Sequence, residues 1–189
     1  MGIFSSRSKP PQAVEAPQCS SSLFRAETAK MGKITDTVNR LNQTTFQAIS
    51  LARNLKNDKS LTPQQHKQAS EAKAVLKAKY EQVNGLACEL TCFNKTFTDT
   101  VKQLVKARDA LRKGGALLVA MEDLRTRDGY CVPWLQNEVI RHRDFVTQVA
   151  KEGAGQVEES VSQINKLASL KGVPRVNNVS ETWRSATSL

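Results

Sequence analysis

The chain has 189 residues, enough for one domain with a real core and too few for two ordinary ones. Apolar residues make up 39%, charged residues 24% and aromatics only 5%, and the net charge of +10 is one-sided: residues 1–113 hold 19 Lys and Arg against 9 Asp and Glu, residues 114–189 hold 9 against 9. Four scattered cysteines and a longest apolar run of only Ala116 to Met121 argue against a disulfide scaffold and a membrane span, and point to a reducing, cytosolic setting with an anionic partner for the first part of the chain.

Residues 1–25 carry Pro10, Pro11 and Pro17 among several serines and show no apolar period, so a flexible leader is expected. It opens Met1-Gly2-Ile3-Phe4-Ser5-Ser6, followed by Arg7 and Lys9. This resembles the N-myristoylation consensus, in which Gly2 takes the acyl chain after removal of Met1 and Ser6 is the preferred hydroxyl. One myristoyl chain holds a membrane only marginally, so a second signal is needed. Arg7, Lys9, Arg25, Lys30 and Lys33 are the basic candidates for it, and Cys19 is the candidate for palmitoylation. The expected location is the cytoplasmic face of a membrane, lipid-anchored.

From about 26 to 57, Met31, Ile34, Val38, Leu41, Thr45, Ala48, Ala52 and Leu55 recur in steps of three and four, predicting a first amphipathic helix. Thr62-Pro63-Gln64-Gln65 then supplies an N-cap, a proline at the first helical position and a capping-box glutamine. A second helix is predicted over 62–113, with Leu76, Val83, Leu90, Phe97, Leu104 and Leu111 at seven-residue intervals. Gly85 lies inside it as a local weakness, and Gly114-Gly115 ends it.

A short apolar helix over 116–125, a turn at Asp128-Gly129, and a last helix opened by Pro133 and running over 133–170 complete the expected bundle. The inward row of that last helix is Leu135, Val139, His142, Val146, Val149, Gly153, Val157, Val161, Ile164 and Ala168, with Phe145 and Leu167 beside it and a bend at Gly153 and Gly155. Gly172-Val173-Pro174 stops it, and the polar tail 172–189 is expected to be disordered. The fold class is therefore all-α: an elongated antiparallel bundle of three long helices plus one short one over 26–171, between a leader and a tail.

Nothing in the chain has the spacing of a catalytic, cofactor or metal motif, and no enzyme activity or cofactor is expected. Cys88 and Cys92 share one helical turn but read as half-buried structural cysteines, His66 sits in the first turn of the second helix, and His142 reads as packing or snorkelling from the last helix rather than acting as a base. The second helix carries ten basic against five acidic residues over 61–113, which read singly as a solvated face and together as a surface that could lie along an anionic membrane. Nucleic acid ranks second, because Phe93 and Phe97 fall on the core row and so are not offered for base stacking. At the far end, Trp183 is either a docking anchor or a residue that folds back onto the bundle. Thr187-Ser188-Leu189 resembles a C-terminal ligand for a PDZ domain.

The layout is similar in general plan to viral matrix or tegument proteins and to small myristoylated membrane adaptors, which implies scaffolding or assembly, with protein partners at the last helix and tail and possible self-association. A basic helical hairpin behind a myristoylation signal also resembles subunits of the ESCRT-III membrane-remodelling machinery. The neutral rather than acidic C-terminal part departs from that family.

Overall fold

A computed structural model describes residues 21–112 and 117–189, with side chains described for 26–99, 102, 103, 106 and 135–189. The elements in order are α1 (Ser21–Lys56), α2 (Pro63–Arg112), α3 (Leu117–Leu170), α4 (Val179–Ser185) and a closing 3-10 turn (Ala186–Ser188). No strand occurs among the described residues.

The three long helices pack antiparallel, because none can bury its apolar stripe alone. Phe46 of α1 lies against Tyr80 of α2, while Glu89 and Arg141 pair α2 with α3 at 3.7 Å. Every residue of the row expected to face inward on α1, from Met31 to Leu55, is buried, and so is every residue of the corresponding α3 row from Leu135 to Ala168. On α2, Ala72, Leu76, Val83, Leu86, Leu90 and Phe93 are buried, with Tyr80 and Phe97 half-buried at the margin. Each fully buried aliphatic contributes roughly 1.5–3 kcal/mol relative to an exposed one, so this single seam carries the fold. Phe145 departs from the expectation: it is 43% exposed, whereas Leu167 beside the same row is buried.

The α1–α2 turn is built as its sequence directs. The Asp58 carboxylate accepts from the Ser60 backbone N–H at 2.9 Å and from the Ser60 hydroxyl at 2.6 Å, and these bonds hold its carboxyl below the usual carboxylate range. Thr62 and Gln65 form the reciprocal capping box, the Thr62 N–H donating to Gln65 Oε1 at 2.9 Å and the Gln65 N–H to Thr62 Oγ1 at 3.3 Å. His66 Nδ1 donates to the Lys56 carbonyl at 2.8 Å, satisfying an acceptor left over at the end of α1. Thr62→Ala is expected to lower stability by about 1 kcal/mol, measured as the chemical-denaturation midpoint by circular dichroism.

Two expectations are corrected. The separate helix over 116–125, the Asp128-Gly129 turn and the start at Pro133 are replaced by one continuous helix, Leu117–Leu170. An interior proline costs about 3 kcal/mol and a glycine about 1, but these are penalties and not obligatory breaks where helix forms on both sides. The tail is not disordered either. Gly172, at φ +64°, terminates α3 in a Schellman motif, with Val173 N–H donating to Ala168 C=O at 2.9 Å and Gly172 N–H to Ser169 C=O at 3.3 Å. The Asn165 side chain then clasps the Val176 backbone through two bonds of 2.9 and 3.0 Å. From Asn178, itself left-handed, α4 packs back against α1 and α3.

Candidate functional site

Gly2, Arg7, Lys9 and Cys19 lie outside the described residues, and Arg25 is in the second turn of α1 with its side chain outside the described set. Lys30 is exposed and pairs with Glu27 at 2.8 Å; Lys33 is exposed one turn further along. Lys33 lines a cleft of about 380 Å³ together with Asp36 and Arg40 of α1 and Thr182, Ser188 and Leu189 of the tail. The basic start of α1 and the C-terminus are thus brought to one place, a juxtaposition that sequence spacing could not reveal.

Trp183 takes the second of its two expected roles and is a core residue. Its ring is fully buried and its indole N–H donates to Thr45 Oγ1 at 2.9 Å, so both the apolar body and the polar tip are satisfied inside the molecule. The chain ends in a 3-10 turn, where the Thr187 hydroxyl donates to Arg184 C=O at 2.7 Å and Leu189 packs half-buried against the core. A PDZ domain captures an extended strand, so such docking would first require this turn to unwind and buried Ala186 to leave its place.

Among the described residues no group of three or more His, Cys, Asp and Glu side chains could hold a metal. Cys88 and Cys92 are free and exposed, not half-buried as expected. Cys131 lies outside the described side chains. His142 is 1% exposed and tilted against Phe93 at 5.6 Å between ring centroids. The Glu138 carbonyl 2.8 Å from its Nδ1 accepts an N–H there, and Arg141 Nη2 lies 3.2 Å from Nε2. Glu138 also bonds Arg141 at 2.9 Å, and this raises the guanidinium's already high pKa. His142 is therefore bonded on both ring nitrogens inside a structural cluster.

The surface charge of α2 is looser. Lys67–Glu71, Lys77–Glu81 and Lys102–Asp99 pair at 3.9, 3.6 and 3.9 Å with both partners well exposed. Pairs of this kind contribute at most a few tenths of a kcal/mol each and leave the lysines free to meet another anion. Phe46 stands out beside them, 51% exposed. No described helix is long and apolar enough to cross a membrane. No family model, curated protein or solved structure matches the chain.

Proposed function

We propose that the chain is an N-myristoylated, lipid-anchored peripheral membrane protein that acts without enzymatic activity as a scaffold, adaptor or matrix-like assembly subunit on a cytoplasmic membrane face. The observation that carries this reading is the opening Met1-Gly2-Ile3-Phe4-Ser5-Ser6, correctly placed for acylation and followed by Arg7 and Lys9. The second attachment signal that a single acyl chain needs comes from basic side chains, each contributing about 1 kcal/mol near an anionic leaflet. Exposed Lys30 and Lys33 at the start of α1 continue the basic character of the leader into the folded bundle. The charge-balanced α3 and tail then serve protein partners.

The test is intact mass and membrane fractionation of the expressed chain. Wild type is expected to lose Met1, gain the myristoyl increment and sediment with membranes. Gly2→Ala is expected to stay unmodified and to lower the membrane-bound fraction about tenfold or more, since only electrostatic attraction remains. An unmodified wild-type N-terminus with unchanged fractionation would sink the anchor.

A further inference from the structure

One face of the bundle combines a straight row of lysines with an exposed aromatic ring. Lys73, Lys77, Lys95, Lys102 and Lys106 follow one another along α2 at steps of four, eighteen, seven and four, each close to a whole number of helical turns. They form one line about 50 Å long, on average roughly 110° around the helix from the buried Leu76 and Leu90 row. All but half-buried Lys73 are exposed, and the positions between them in that line are uncharged. Between Lys73 and Lys106 the acidic residues of α2 fall off the line: Glu89 turns toward α3, where it meets Arg141, while Glu81 and Asp99 border the line beside Lys77 and Lys102. On the adjoining side, α1 carries no carboxylate between Val38 and Lys56. Phe46 projects there, 51% exposed, its ring 6.0 Å from that of half-buried Tyr80, which sits between the buried row and the lysine line.

We infer that this α1–α2 face is the surface on which the folded bundle lies against an anionic lipid bilayer, with the lysine line meeting headgroups and Phe46 entering the interfacial layer. The inference rests on the membrane reading above and adds the orientation of the bundle. A straight, flat line of cations suits a planar array of negative headgroups, and an aromatic pair with one apolar and one hydroxyl-bearing ring suits the boundary between headgroup and acyl chain. Nucleic acid is the less favoured partner, because among the described residues the face offers a single aromatic pair and no succession of stacking platforms.

The experiment uses the full-length chain, as acylated wild type and as unacylated Gly2→Ala protein, with vesicles of phosphatidylcholine alone or mixed with phosphatidylserine. The unacylated chain is expected to bind only the mixed vesicles. Converting the five lysines to glutamine is expected to lower that partition more than about a hundredfold, at roughly fivefold per cation. Removing exposed Arg143, Lys151 and Lys166 from α3 in the same way is expected to lower it less than about tenfold. Exposed Cys88 lies within the line, so an environment-sensitive dye there, in a chain with Cys19, Cys92 and Cys131 replaced by serine, should shift to the blue on mixed vesicles. The same dye at Ser162→Cys on α3, with Cys88 also replaced, should not shift. Equal binding of acylated wild type and its five-lysine variant, with no Cys88 response, would overturn the assigned face and leave the anchor intact. Failure of both acylated and unacylated protein on every vesicle would overturn both readings. Lysine-dependent, steeply salt-sensitive binding to nucleic acid without vesicle binding would overturn the face in favour of that partner.

Discussion

Trp183→Ala is expected to lower the stability of the bundle by about 3–5 kcal/mol, the largest loss from any single tail residue. The indole is fully buried and hydrogen-bonded to Thr45 across a sequence separation of 138 residues. Truncation removes its transfer free energy, opens a cavity between α1, α3 and α4, and leaves the buried Thr45 hydroxyl oxygen without its donor. For a domain whose total stability is on the order of 5–15 kcal/mol, such a loss shifts the thermal midpoint by roughly 10 °C. Trp183→Phe keeps most of the apolar contact and gives up the N–H, so a smaller loss of about 1–2 kcal/mol is expected. Thermal and denaturant unfolding followed by circular dichroism measures both. A midpoint unmoved by Trp183→Ala would mean that the tail does not hold the bundle in solution.

The bundle itself was legible because its signals are local and redundant. The α1 row from Met31 to Leu55 and the Thr62–Gln65 box each specify their element without help from distant residues, and both are found as expected. What was misread involves local features that tertiary contact overrides. Asp128-Gly129 and Pro133 look like punctuation in isolation, yet α3 runs through them. The tail contained its own signal: Val176, Val179, Trp183, Ala186 and Leu189 recur at steps of three, four, three and three, a helical row hidden by the polar residues around it. Its length made it easy to discount, since so short a helix is unstable alone and depends on the groove that receives it. The lysine line of α2 was visible only as a net charge, because its geometry matters once the buried row is known and the opposite face can be identified. The proposed acylation at Gly2 rests on a linear signal alone and takes nothing from the fold.

Gly153→Ala and Gly155→Ala should move stability in opposite directions, although the two glycines are only two residues apart in the same helix. In a solvent-facing helix interior, alanine is favoured over glycine by up to about 1 kcal/mol, and a Cβ added at Gly155 meets open space, so that substitution should stabilise. A Cβ at Gly153 would sit 2.5 Å from Trp183 Cζ3, 3.1 Å from Cε3 and 3.3 Å from Lys79 Cδ. The lysine can move aside, but the indole is closed in by core and bonded to Thr45, so the ring must shift and a net loss of about 1–3 kcal/mol is expected. The cause is separable by a double-mutant cycle: with Trp183→Ala already in place, Gly153→Ala should become stabilising, giving a coupling of about 2–3 kcal/mol between the two positions. A stabilising Gly153→Ala in the wild-type chain would contradict the seating of the indole. Gly153 sits inside α3, which passes through it as continuous helix. Its missing side chain is the space that Trp183 fills, and the glycine and the tail tryptophan are two halves of one contact.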